Sequence, residues 1–143
     1  SSLINFNPQT IKIINRTKST GIKLIKHFKK FMGSKKTFEA DFMACNPDHE
    51  IDLLINCTSC GMNGKNPLDV DLSSMKKKSM VYDLVYKPTM TPLMKVAREE
   101  KLNYTNGFYM LARQAAESFY RWFGVMPEDS HIKEVIRILK KND

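Results

Sequence analysis

Two hydrophobic rhythms alternate along the 143-residue chain. Short β-rich apolar runs stand at residues 10–14, 51–55, 80–85 and 102–105, the second-to-last interrupted by Asp83. Between them apolar positions recur at helical steps. Ile22, Ile25, Phe28 and Met32 lie opposite Lys23, Lys26, Lys29 and Lys30, the pattern of an amphipathic helix laid on a sheet. Thr17 or Ser19 can cap that helix and Gly33 can stop it. Thr91-Pro92 places a cap and a first-turn proline before Leu93, Val96 and Ala97. From Gly107 the spacing predicts the longest helix, reaching about Phe123 and ended by Gly124. Its expected core stripe is Phe108, Leu111, Ala115, Phe119 and Trp122, with Arg113, Glu117 and Arg121 pairing at four-residue steps on the wet side. Ser130 can cap a last helix that buries Ile132, Val135, Ile136 and Leu139. Residues 1–6 read as the tail of a helix, 36–39 as an edge strand, 41–50 as a connection and 61–74 as a loop. Strands alternating with helices predict an α/β fold with a mostly parallel sheet.

The run at 51–55 breaks abruptly into Asn56, Thr58, Ser59 and Gly61. An apolar run bounded this way predicts a central strand covered on both faces. Its polar residues then fall just past the carboxyl end, where open α/β sheets bind ligands.

Composition narrows the reading. At 42% apolar residues the chain suits one soluble globular domain. No apolar run reaches the ~18 residues that span a bilayer, and the start lacks a signal-peptide pattern. The absence of an initiator Met suggests a start partway through a longer protein. The 23 Lys and Arg against 15 Asp and Glu give a net charge of +8 and predict attraction to anions such as nucleotides or phosphorylated substrates. The lysines are scattered rather than blocked, which fits a solvated face and argues against nucleic acid as the partner. Of three cysteines, Cys57 and Cys60 form a CxxC; alone it lacks the further ligands of a zinc site, and free thiols in a reducing compartment are expected.

The candidate chemistry begins with Asn15-Arg16-Thr17 after the first strand. In dinucleotide-binding folds an acidic residue near such a place holds the ribose 2′-hydroxyl, whereas an Arg accepts a 2′-phosphate. No Asp or Glu precedes Phe38, so Arg16, with Lys18 close by, favours NADP over NAD. Standing alone, the tripeptide fits a surface turn equally well. Gly107 and Gln114 fall on one side of the long helix. An amide there needs a polar partner, either a ligand or a neighbouring carbonyl.

Four motifs then occur in order: Asn15-Arg16-Thr17; Asn56-Cys57-Thr58-Ser59-Cys60-Gly61-Met62; Tyr82-Asp83 with Tyr86, Pro88 and Thr91-Pro92-Leu93; and Gly107 with Met110-Leu111 and Gln114-Ala115. Together they closely resemble the cofactor-binding half of the shikimate dehydrogenases over nearly all of residues 11–127. The resemblance implies a Rossmann-like domain over residues 1–124, without its first strand and Gly-rich loop. It also implies a helix at 125–143 that packs on a separate substrate domain. NADP is the implied cofactor, contacted by Asn15, Arg16, Thr17, Lys18, Thr58, Ser59, Leu84 and Gly107. Tyr86 and Gln114 are the implied contacts to shikimate or 3-dehydroshikimate, and Arg16, Tyr86 and Gln114 should face one cleft. The family's proton-transferring Lys and Asp have no counterpart here, so this polypeptide alone is expected not to turn over. The implied oxidoreductase is cytoplasmic and needs no metal or membrane; a homodimer stays open. The alternatives are a non-catalytic NADP binder and a quinate/shikimate dehydrogenase. In the strand order 3-2-1-4-5-6 the missing strand would leave the strands at 10–14 and 51–55 with unpaired edges, or force them together.

Overall fold

The computed structural model describes residues 2–6, 8–32, 36–40 and 46–141, which form two compact units, Ser1–Cys45 and Asn46–Asp143. Gly33, Cys45 and the first half of the 41–50 connection lie outside the described residues, as do the side chains of Phe28 and Met32.

The first unit is a βαβ crossover preceded by one helical turn: α1 (Ser2–Asn5), β1 (Thr10–Ile14), α2 (Lys18–Met32) and β2 (Lys36–Ala40). The strands run parallel from Thr10 opposite Lys36 to Ile14 opposite Ala40, which requires a crossover such as α2 between them. The Thr17 carbonyl accepts from the Thr20 and Gly21 amides at 3.0 and 3.2 Å and so starts the helix. Ile25 is buried, whereas Ile22 and Leu24 remain exposed.

The second unit holds a parallel sheet of β3 (Leu53–Asn56), β4 (Met80–Asp83) and β5 (Asn103–Asn106), in the order β3-β4-β5. The helices are α3 (Pro92–Glu99), α4 (Phe108–Phe123) and α5 (Asp129–Lys141). Among the described residues the run at 51–55 is therefore not the central strand of its sheet. That place belongs to β4, whose Val81 and Asp83 are fully buried between two neighbours, while Leu53 of β3 is 42% exposed. Among the described residues β1 pairs only with β2, and β3 only with β4.

The core joins Val81, Leu93, Ala97 and Leu102 to Leu72 and Met75, which come from the long connection before β4 rather than from a regular element. A second cluster packs Ala112 and Ala116 of α4 against Ile132 of α5, with Ile136 at its margin. The stripe expected on α4 is thus displaced. Phe108, Ala112 and Ala116 are buried, whereas Ala115, Phe119 and Trp122 are exposed, the last at 76%. Two alanines one turn apart leave room for Ile132, whose burial contributes about 1.5–3 kcal/mol. The bulky aromatics lie beyond that contact. Arg121 pairs with Glu117 at 3.3 Å as expected, but Arg113 reaches Asp129 at 2.9 Å instead; both pairs are exposed and add little. Ser130 does not cap α5. Its hydroxyl meets Glu128, and the Glu128 carbonyl takes the first-turn amides of His131 and Ile132. Val135 is 45% exposed, whereas Ile132 and Ile136 pack against α4.

Caps and stops follow local rules. Gly124 ends α4 at φ 71, a backbone shape that glycine adopts without penalty. Thr91 caps α3, its Oγ1 accepting from the Met94 amide at 3.2 Å while donating to Asp83 at 2.7 Å. Thr91→Val keeps the shape and removes both bonds. It should cost about 2–4 kcal/mol, the sum of a lost cap and a buried acceptor left short, read as a shift in urea midpoint.

Candidate functional site

The three strands of the second unit end level. Asn56 lies opposite Asp83, and Asp83 opposite Asn106, and all three are buried. A polar side chain at each strand end is held there because it organises the loop that follows. Asn56 Oδ1 accepts from the Thr58 amide at 3.0 Å and from the Thr58 hydroxyl at 2.7 Å. Its Nδ2 donates to the Cys60 carbonyl at 3.2 Å and to Asp83 Oδ1 at 2.9 Å. The Thr58 hydroxyl in turn accepts from the Cys60 amide at 3.0 Å. Asp83 Oδ1 also accepts from the Val85 amide at 3.1 Å, and its Oδ2 from the Thr91 hydroxyl. Asn106 Oδ1 accepts from the Phe108 amide at the start of α4, and Nδ2 donates to the Thr89 carbonyl. Burial raises the Asp83 carboxyl above its ordinary range, partly countered by the hydrogen bonds from Thr91, Val85 and Asn56.

This edge brings together most of the residues singled out in the second unit. Thr58 and Ser59 stand exposed on the loop after β3. Leu84, half-buried, follows β4, and its amide donates to the Asn56 carbonyl at 3.0 Å. Tyr86, also half-buried, lays its ring 5.6 Å from that of Phe108, just before the cis Lys87-Pro88 bond. Gly107 follows β5 and is buried, its amide turned to the Val85 carbonyl at 3.4 Å. A Cβ on Gly107 would stand 2.1 Å from the Leu84 carbonyl oxygen. The bare face of this glycine is therefore occupied by the chain's own backbone, a use that its sequence position did not reveal.

Gln114 lies two turns along α4. It is exposed and lines an open groove of about 480 Å³ with Met110, Arg113, Glu117, Ser118 and Arg121. Its backbone carbonyl accepts from Ser118, and its amide side chain is open to an external partner. Asn15, Arg16, Thr17 and Lys18 belong to the first unit. Arg16 is exposed between the carboxyl end of β1 and the first turn of α2, which carries no acidic residue. Asn15 Nδ2 donates to the Thr17 carbonyl at 2.8 Å and shapes that turn. Cys57 and Cys60 are free thiols, and desolvation raises the Cys57 thiol pKa, the opposite of what a nucleophilic thiolate needs.

Sequence reasoning missed Asp83, Asn56 and Asn106 as organisers. In the sequence Asp83 stands out as an interruption of an apolar run and as part of the Tyr82-Asp83 motif; a lone carboxylate at a strand end, eight residues before a capping threonine, is the signal for its role. Among the described residues no helix is long and apolar enough to cross a membrane.

Parallel strands with crossover helices and polar loops at the carboxyl edge make this a Rossmann-like α/β protein. The family described as the Shikimate 5'-dehydrogenase C-terminal domain matches residues 107–137. A shikimate dehydrogenase (NADP(+)) of Ruegeria sp. (strain TM1040) is 37% identical over 128 residues, 90% of this chain and 45% of the relative. Its counterpart in Azorhizobium caulinodans is 43% identical over 88 residues, 61% of this chain and 31% of the relative. The crystal structure of shikimate 5-dehydrogenase from Thermus thermophilus, in complex with NADP(H) and shikimate, matches with a TM-score of 0.70 at 25% identity, over 88% of this chain and 44% of that one. The chain is thus similar to shikimate dehydrogenases over most of its own length and spans less than half the length of these relatives.

Proposed function

We propose that this chain is the NADP-binding part of a shikimate dehydrogenase, which in the intact protein reduces 3-dehydroshikimate to shikimate with NADPH. One observation carries the reading furthest: the level ends of β3, β4 and β5 put Thr58, Ser59, Leu84, Tyr86 and Gly107 on a single edge of the sheet. The first unit supplies a second, cationic strand end. An exposed Arg16 beside a helix N-terminus free of acidic residues suits a 2′-phosphate, by charge and by the dipole of α2. When bound, the nicotinamide supplies the hydride. The chain's part is to bind and orient: Asn15, Arg16, Thr17 and Lys18 hold the 2′-phosphate end, Thr58 and Ser59 border the cofactor, and Leu84 and Gly107 abut its nicotinamide end. Tyr86 and Gln114 hydrogen-bond the substrate's hydroxyls. On this reading α5 turns its exposed Val135 and Ile138 toward the substrate-binding part of the protein, and the enzyme is cytoplasmic.

Calorimetric titration of NADP⁺ and NAD⁺ tests the cofactor assignment. Arg16→Ala should weaken NADP⁺ about 10–100-fold, the worth of charge-assisted hydrogen bonds to a phosphate, and change NAD⁺ less than about twofold. Equal losses for the two cofactors would remove the 2′-phosphate role. Saturable NADP⁺ binding without NADPH formation from shikimate, in the intact protein, would instead favour a non-catalytic binder.

A further inference from the structure

Asp83 is buried at the end of β4, and the loop after β3 and the turn after β4 both depend on it. Its Oδ1 receives two donors from different segments: Nδ2 of Asn56 at 2.9 Å and the Val85 amide at 3.1 Å. Asn56 passes the constraint outward, because its own Oδ1 holds the amide and hydroxyl of Thr58. Val85 passes it the other way, lying between Leu84 and Tyr86 in the chain. The remaining oxygen ties in Thr91 and hence the start of α3. Hydrogen bonds therefore run without a break from Thr58 through Asn56 and Asp83 to the backbone beside Tyr86. Every donor on the carboxylate is neutral, and Asp83 is fully buried. Fixing two loops through one oxygen leaves each little freedom to shift alone, since a carbonyl-type oxygen offers only two lone-pair directions.

We propose that Asp83 is a positioning residue, whose Oδ1 sets the loop bearing Thr58 and Ser59 and the turn bearing Leu84 and Tyr86 in one mutual geometry for a bound dinucleotide. This rests on the cofactor reading above. The decisive group is the oxygen and not the charge. An amide at position 83 keeps an oxygen at Oδ1 and turns its nitrogen toward Thr91 Oγ1, which can accept. Conservative replacement should therefore restore what truncation removes, whereas a site that needed the negative charge would show no such rescue.

Amide hydrogen exchange and NADP⁺ titration on the full chain test this together. Asp83→Ala should speed exchange at Thr58 and at Val85 by about tenfold or more, leave Ala112 and Ala116 unchanged, and raise the NADP⁺ Kd about tenfold with native far-UV circular dichroism. Asp83→Asn should return each to within about threefold of the parent. Unchanged exchange at Thr58 in Asp83→Ala, or an Asn variant that behaves like Ala at Thr58 and Val85, overturns the proposal. So does a destabilised Asp83→Ala whose folded fraction binds NADP⁺ as tightly as the parent. If the parent chain binds no NADP⁺, the cofactor reading fails, and the exchange pattern alone decides whether Asp83 couples the loops. Should Asp83→Ala not fold, Asn56→Ala asks the question from the other end. It should raise exchange at Val85 at least about threefold, and no change at Val85 overturns the coupling.

Discussion

Gly107→Ala destabilises the second unit by at least about 3 kcal/mol, a large share of a typical domain stability of about 5–15 kcal/mol. Helix propensity points the other way. Gly107 precedes α4 at φ −73, a conformation open to alanine, and removing a glycine there would ordinarily gain up to about 1 kcal/mol. Sterics decide the sign. The new Cβ meets the Leu84 carbonyl oxygen at 2.1 Å, its carbon at 2.9 Å and its Cα at 3.3 Å, all of them backbone atoms. Neither partner can withdraw cheaply. The Leu84 amide is bonded to the Asn56 carbonyl, and the Gly107 amide and carbonyl engage Val85 and Leu111. Urea unfolding followed by far-UV circular dichroism reads the outcome. A midpoint within the equivalent of about 1 kcal/mol of the parent would show that β4 and β5 do not approach so closely.

Asp83→Leu is the second large effect. The side chain is fully buried, so a leucine, branched in the same way but larger, escapes the cost of burying a charge. It leaves Asn56 Nδ2, the Val85 amide and the Thr91 hydroxyl facing an apolar group. Unsatisfied buried donors cost about 1–3 kcal/mol each, and Asn56 keeps the Cys60 carbonyl, so a total of about 3–6 kcal/mol is expected. The pH dependence carries a sign that separates this carboxylate from the exposed ones. Burial holds the folded-state pKa of Asp83 above its ordinary value of 3.8. The folded chain therefore binds that proton more tightly than the unfolded chain. The resulting contribution is fully present below the unfolded pKa and is lost as pH rises through the folded one. Asp83→Asn lacks this limb. The stability difference between it and the parent should change in favour of the variant across that window and be flat above it. A difference independent of pH from acid to neutral would contradict the raised pKa.

Much of the element order was legible because its signals are local. Thr91-Pro92 starts α3, Gly124 stops α4 and Thr17 stands at the head of α2, each through contacts within a few residues. The displaced stripe on α4 was not legible. Phe119 and Trp122 carry more apolar surface than Ala112 and Ala116, and periodicity favours the larger residues. Which face is buried depends on α5 lying against the alanines. Leu72 and Met75 were lost for a related reason: they enter the core from an irregular segment that has no period to detect. The proposed cofactor contacts Thr58 and Ser59 were visible as a polar break after an apolar run. Their organiser was not, since Asn56 meets Asp83 across 27 residues of chain.

By itself the amino-acid sequence determined the alternation of strands and helices, the start of α3, the end of α4 and the polar character of the strand ends, because steric preference, capping and hydrophobic period act over a few residues. Tertiary structure alone decided that β4 and not β3 occupies the middle of its sheet, that Gly107 is bare to admit the Leu84 carbonyl, and that one buried carboxylate joins two loops. Those outcomes depend on which distant atoms come within about 3 Å of each other, a distance set by the packed sheet and not by any stretch of chain.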